Sequence, residues 1–100
     1  MTTENKKEIK RKIINGLSAQ KEIKKVILFG SFISSDSPND VDIAIFQDSD
    51  ENYISLALKY RKILRAISKE IPLDVFPLKV GGSTSAFLEE IESGEVVYER

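Results

Sequence analysis

Three aspartates interrupt stretches that otherwise read as buried strand. Asp40 and Asp42 flank Val41 ahead of Ile43-Ala44-Ile45-Phe46, and Asp74 lies between Leu73 and Val75. Side chains two apart on a strand point to the same face, so Asp40 and Asp42 stand side by side with Cα atoms roughly 6–7 Å apart. Asp74 alternates with Leu73 and Val75, on the side away from the expected core. If its strand neighbours that of Asp42, three carboxylates meet on one surface. Carboxylates this close repel, and one of them is pushed toward protonation unless a cation joins the set. Mg²⁺ suits such a set, because it takes a few carboxylates together with waters and substrate phosphates. Two such ions about 3.5–4 Å apart serve in-line phosphoryl or nucleotidyl transfer. Gly30-Ser31, at the end of an earlier apolar run, supplies the other half of that chemistry. Glycine lets a phosphate approach the backbone, and the serine hydroxyl and the following N–H groups donate to its oxygens.

Neither motif is specific alone. A strand that ends in Gly-Ser before a turn needs no function, and Asp-Val-Asp is common on solvent faces. Their combination with Asp74 inside a third strand is what carries the reading. Asp36, Asp48, Asp50 and Glu51 lie in polar turns and read as turn and capping groups.

Composition narrows the chemistry further. The chain of 100 residues has no cysteine and no histidine, which excludes disulfides, zinc sites, thiol nucleophiles and imidazole bases. Acid–base and metal work falls to carboxylates, Ser/Thr, Tyr and Lys. The balance of 15 basic and 16 acidic residues is not that of a uniformly basic nucleic-acid binder, and direct nucleic-acid binding is not expected. Charge is blocked: residues 1–25 hold eight Lys/Arg against three Glu, whereas residues 26–58 hold six acidic residues and no base. The acidic block is the candidate cation site, and the basic first helix reads as a solvated face. Apolar runs such as Val26–Phe29 fall far short of a membrane span and the N-terminus is charged, so a cytoplasmic protein is expected. At this length one domain spanning residues 1–100 is expected, with no room for a separate acceptor-binding domain.

The elements that must position these residues follow from periodicity. Thr3 or Asn5 caps a first helix with Ile9, Ile13, Ile14 and Leu17 on one stripe. Val26–Phe29 reads as a buried strand, Ser31–Asn39 as a loop or short turn of helix, and Asp40–Phe46 as the next strand. Asp50 or Asn52 caps a long helix with Leu56, Tyr60, Ile63, Leu64 and Ile67 on one face, closed by Pro72. The hydroxyls of Tyr53 and Tyr60 are expected to reach water. Leu73–Phe76 is a third strand that Pro77 ends or confines to an edge. A Gly81-Gly82 turn, a cap at Ser83 or Thr84, a helix with Phe87, Leu88 and Ile91, a stop at Gly94 and a short strand at Val96–Tyr98 complete the chain. Phe32 and Ile33 are large for a polar loop and are expected to pack on the core. The order α, β, β, α, β, α, β predicts an α+β or mixed α/β fold, a small mixed sheet flanked by helices.

Phe29-Gly30-Ser31, followed after eight residues by Asp40-Val41-Asp42-Ile43, resembles the signature of nucleotidyltransferases of the DNA polymerase beta superfamily. Asp74 in Leu73-Asp74-Val75 resembles the family's third carboxylate. The ending, Phe87-Leu88-Glu89-Glu90-Ile91 and Gly94-Glu95-Val96-Val97-Tyr98-Glu99, is similar to the tail of its short, minimal nucleotidyltransferase (MNT) members. The resemblance covers the chain from about Lys21 onward and implies a polymerase-beta-like fold. It implies that Asp40, Asp42 and Asp74 are the catalytic metal ligands, for Mg²⁺ or Mn²⁺, and that Gly30 and Ser31 hold the phosphates of ATP or another NTP. It also implies a protein partner, a helical HEPN-type toxin, that receives AMP on a hydroxyl and is neutralised by it. The sequence departs from the family in the loop after Gly30-Ser31, where Phe32-Ile33-Ser34-Ser35 replaces a stretch that commonly carries an arginine. Arg61 or Arg65 on the long helix are the candidate substitutes. The rival implication is a noncatalytic antitoxin, or nucleotide-binding module, that neutralises its partner by contact.

Overall fold

The computed structural model describes the backbone of residues 1–81 and 85–100 and the side chains of residues 1–81 and 88–100. Helix α1 (Thr3–Leu17) leads to strand β1 (Ile23–Phe29), the short helix α2 (Ser31–Ser34) and strand β2 (Val41–Gln47). Helices α3 (Tyr53–Ile63) and α4 (Arg65–Ser68) then lead to β3 (Leu73–Lys79), α5 (Ser85–Glu92) and β4 (Glu95–Glu99). The strands form a mixed sheet in the order β3-β2-β1-β4, in which β1 is antiparallel to both β2 and β4 while β2 and β3 run parallel. The expected mixed α/β architecture is therefore present.

Alternation along the strands divides the apolar residues between two faces. Val26 and Leu28 of β1, Val41, Ile43 and Ile45 of β2 and Val75 of β3 join Ile9, Ile13 and Leu17 of α1 and Leu56 and Tyr60 of α3 in the larger core. The other face holds a smaller cluster of Ile27, Phe29, Ala44 and Ile91, with Phe46, Phe76 and Leu78 packed against it. Phe76, two residues on from Asp74 and on the same face of β3, packs into this cluster. Its ring lies 5.8 Å from that of Phe29, under the helix that supplies Ile91.

Several boundaries differ from the sequence reading for local reasons. The α1 cap is Thr2, not Thr3 or Asn5: its extended backbone lets the side chain accept from the Asn5 N–H at 3.1 Å. Asn52, not Asp50, caps α3 by accepting from the Ser55 N–H at 2.8 Å. The expected long helix breaks at Leu64, yet Leu56, Tyr60, Leu64 and Ile67 are all buried, so the apolar stripe runs unbroken across two helices. Strand β1 starts at Ile23, and β2 starts at Val41, whose N–H donates to the Pro72 carbonyl at 2.9 Å. Strand β3 continues through Pro77 to Lys79; it is an edge strand, where a missing N–H need not break the ladder. The Gly82 turn position, the cap at Ser83 or Thr84 and the packing of Phe87 lie outside the described residues.

Two side chains settle questions that periodicity left open. Phe32 is fully buried and Ile33 packs beside it, so α2 is anchored in the larger core as expected. Tyr60 corrects the sequence reading. Its hydroxyl does not reach water but donates to Glu22 Oε2 at 2.9 Å, an oxygen that also accepts from Lys59 Nζ at 2.9 Å. Burial, and then the Glu22 carboxylate, push the Tyr60 hydroxyl well above its ordinary pKa.

The turn from α5 into β4 is set by a close approach. A Cβ at Gly94 would lie 2.3 Å from the Leu28 carbonyl oxygen and 2.9 Å from Phe29 Cβ, both on the central strand β1. Neither neighbour can swing aside. Gly94→Ala is expected to destabilise the fold by about 1–3 kcal/mol, read as a lower urea midpoint at unchanged slope.

Candidate active site

The three aspartates come together at one end of the sheet. In the parallel pairing of β2 and β3, Asp42 stands directly opposite Asp74, and in the antiparallel pairing of β1 and β2 it stands opposite Phe29. Asp40 lies one residue before β2, yet its side chain turns to the same place. One carboxylate oxygen from each of Asp40, Asp42 and Asp74 lies within 4.8 Å of the other two.

Gly30 closes the site from the β1 side. Its φ of +77° is a conformation that L side chains rarely adopt, and a Cβ there would sit 2.2 Å from Asp42 Oδ2. The residue type follows from both facts: only glycine takes this turn and leaves room for the carboxylate. The Gly30 carbonyl accepts from the N–H groups of Ile33 and Ser34 at 3.1 and 3.2 Å, which winds α2 immediately after the turn. Ser31 Oγ thereby reaches Asp40 Oδ1 at 3.5 Å. The far end of α2 is held from α1, where Lys6 Nζ donates to the Ser35 carbonyl at 2.6 Å and lies over the Phe32 ring.

Electrostatics mark Asp42 as the strained member of the set. Burial raises its pKa first, followed by the charges of Asp40 and Asp74, to about 6. Glu90 of α5 adds to the same effect, a contribution that sequence alone had no way to place because it depends on how α5 crosses the sheet. Among the described residues no Lys or Arg nitrogen comes within 4.0 Å of these carboxylates. Arg61 and Arg65, the candidate substitutes for a loop arginine, belong to helices that cover the opposite face, against Val41, Ile43 and Val75. That expectation is corrected: both side chains are exposed on the far side of the sheet from the Asp42 carboxylate.

The donors are all oxygen, close together and without a cationic side chain to balance them. Such a set suits a hard divalent cation rather than a soft one. Beside it, the hydroxyl of Ser31 and the first amides of α2, which have no partner one turn earlier in the helix, suit phosphate oxygens. Among the described residues no helix is long and apolar enough to cross a membrane.

A search of curated proteins finds no match. Among solved structures, a chain in the tri-AMPylated HEPN toxin of Shewanella oneidensis in complex with MNT antitoxin is similar at 17% identity and a TM-score of 0.69, over 95% of this chain and 73% of that one. A toxin–antitoxin complex with AMP-PNP matches at 18% identity and a TM-score of 0.69, over 91% of this chain and 73% of that one. The MntA-HepT toxin–antitoxin complex matches at 16% identity and a TM-score of 0.67, over 94% and 73%. At these identities the likeness is one of fold. The family described as polymerase beta nucleotidyltransferase matches residues 11–100, a span that contains Gly30, Ser31 and all three aspartates. By that match the chain belongs to the polymerase beta nucleotidyltransferase family.

Proposed function

We propose that this chain moves AMP from ATP to a hydroxyl of a protein partner, a HEPN-type toxin, and so acts as its antitoxin in the cytoplasm. The observation that carries the reading is the convergence of Asp40, Asp42 and Asp74 within 4.8 Å, beside Gly30-Ser31. Support for nucleotide and partner comes from the structural neighbours, one a tri-AMPylated HEPN toxin with an MNT antitoxin and another a toxin–antitoxin complex with AMP-PNP.

In this assignment Asp40 and Asp42 would hold two divalent ions, Mg²⁺ or Mn²⁺, and Asp74 would help hold one of them. Divalent ions held there would supply positive charge to the phosphates and make the acceptor hydroxyl easier to deprotonate. Ser31 Oγ and the first amides of α2 donate to the β- and γ-phosphates and orient the triphosphate. Asp74 accepts the proton of the acceptor hydroxyl. That oxygen attacks the α-phosphorus in line; a P–O bond forms, the α–β anhydride breaks, and pyrophosphate leaves with the bonding electrons.

One observation favours a second reading, a noncatalytic antitoxin or nucleotide-binding module. The turn after Gly30 runs straight into α2 with Phe32 in the core, and among the described residues no Lys or Arg nitrogen lies within 4.0 Å of the three carboxylates. The two readings separate when the protein is incubated with its HEPN-type partner, ATP and Mg²⁺ and both chains are weighed by intact mass spectrometry. Transfer predicts a mass gain of one or more AMP units on the partner, abolished by Asp42→Asn while the complex still forms. A stable complex with no mass gain would select the contact mechanism.

The carboxylate cluster also predicts a stability signature. Asp42 binds its proton more tightly in the fold than in the unfolded chain, so it costs stability once ionised. The cost is absent below about pH 3, grows as pH rises through the ordinary value of 3.8 to about 6, and is fully present above that. Without divalent ions, Asp42→Asn is expected to raise the melting temperature at about pH 7.5 by roughly 2–5 °C, after allowance for solvent screening, and to leave it unchanged at about pH 3. Mg²⁺ should raise the melting temperature of the wild type and not that of the variant. A variant less stable than wild type at neutral pH would contradict the clash of charges.

A further inference from the structure

Helix α2 is a single turn of four residues, and it carries Ser31. Its backbone bonds run from the N–H groups of Ile33 and Ser34 to the Gly30 carbonyl and from that of Ser35 to the Ser31 carbonyl at 2.9 Å. A helix that short does not hold itself in water. Nor does the site fix it, because Ser31 Oγ lies as far as 3.5 Å from Asp40 Oδ1, at the limit of a hydrogen bond. The turn is held from the core side instead. Phe32 is sunk in the larger core, and the Ser35 carbonyl, at the end where a helix leaves its acceptors without partners, accepts from Lys6 Nζ at 2.6 Å. The same ammonium lies 5.6 Å from the centre of the Phe32 ring. The basic face of α1 was expected to be solvated. Lys7, Arg11 and Lys12 are exposed as that reading requires, whereas Lys6 is half-buried and reaches a residue 29 positions along the chain.

We propose that Lys6 is a positioning residue for the nucleotide: from α1 it fixes α2, so that Ser31 Oγ stays aimed at the phosphates of an NTP held at the three aspartates. The inference rests on the nucleotide reading of that site. Lys6 acts through α2 and not by touching phosphate, because its ammonium is engaged by the Ser35 carbonyl at the end of the turn away from Gly30. A hydrogen bond with an ionised donor is stronger than a neutral one, and here it closes a chain of contacts from Lys6 to the Ser35 carbonyl, from the Ser35 N–H to the Ser31 carbonyl, and from Ser31 Oγ to Asp40. Without that donor the Ser35 carbonyl turns to water, and Phe32 alone ties the turn to the core. Lys10, one helical turn further along α1, makes a useful contrast: it pairs with Glu95 of β4 at 2.9 Å and has no part in α2.

Equilibrium binding of a fluorescent, non-hydrolysable ATP analogue with Mg²⁺ tests this on the intact chain. Lys6→Met keeps an apolar stem over Phe32 and removes the donor; it is expected to weaken binding roughly 3–10-fold. Lys10→Met, which cuts a tie of the same helix to β4, should leave the affinity unchanged. In a Ser31→Ala background the Lys6 substitution should cost at most about twofold, because the hydroxyl it positions is already gone. Mn²⁺ bound without nucleotide, counted by electron paramagnetic resonance, should be the same in wild type and Lys6→Met. Full affinity in Lys6→Met overturns the proposal while the nucleotide site stands. So do an equal loss in Lys10→Met, effects of Lys6 and Ser31 that simply add, and weakened Mn²⁺ binding in Lys6→Met. A wild type that binds no analogue overturns the nucleotide reading of the site, and this inference with it.

Discussion

The parallel pairing that sets Asp42 opposite Asp74 is the contact on which the site depends. It brings together two groups that repel, at the end of a sheet where Asp40 adds a third charge and Gly30 leaves just enough space for the Asp42 carboxylate. Ionised together, these carboxylates oppose folding. The register is held instead by what lies on the reverse of the same residues, where Val41, Ile43 and Val75 alternate with the aspartates and enter the larger core. A slip of one residue would turn the aspartates into that core and the aliphatic residues out of it. The register that buries the most apolar surface is thus the one that gathers the carboxylates, and stability sacrificed on one face is offset on the other.

The two faces of the sheet therefore serve different ends. One carries α1, α3 and α4 over a continuous apolar layer, with the Tyr60 hydroxyl and Lys59 closing on Glu22 at its margin. The other carries a thin cluster around Phe29, Ala44 and Ile91, with the half-buried Asp40, Asp42 and Asp74 at the strand ends beside it. Glycine marks two places where the backbone comes close to a neighbour. At Gly30 a turn passes over a carboxylate, and at Gly94 a chain leaving α5 passes over the central strand.

The sequence was most informative where residue type and period agree. Asp42 and Asp74 inside strands and Asp40 just ahead of one announced the carboxylate cluster, because carboxylates set among buried strand residues are costly unless a cation or donor meets them. Periodicity announced the layers, since the same alternation that turns the aspartates one way turns the aliphatic residues the other. It misread what depends on residues distant in the chain. The Tyr60 hydroxyl was expected in water because Glu22 lies 38 residues away and only folding brings it near. The break at Leu64 was hidden because α4 continues the buried stripe of α3. Arg61 and Arg65 were weighed as phosphate partners because sequence gives their charge but not the face their helix covers.

The central claim is that Asp40, Asp42 and Asp74 with Gly30-Ser31 form a single site for a divalent cation and a nucleoside triphosphate. Titration calorimetry of the protein with an ATP analogue that resists α–β cleavage, with and without Mg²⁺, tests it most directly. The account predicts binding that requires the metal and is lost in Asp40→Asn and in Asp74→Asn. Binding that is equally tight without Mg²⁺ and indifferent to both substitutions would place the nucleotide elsewhere and contradict it.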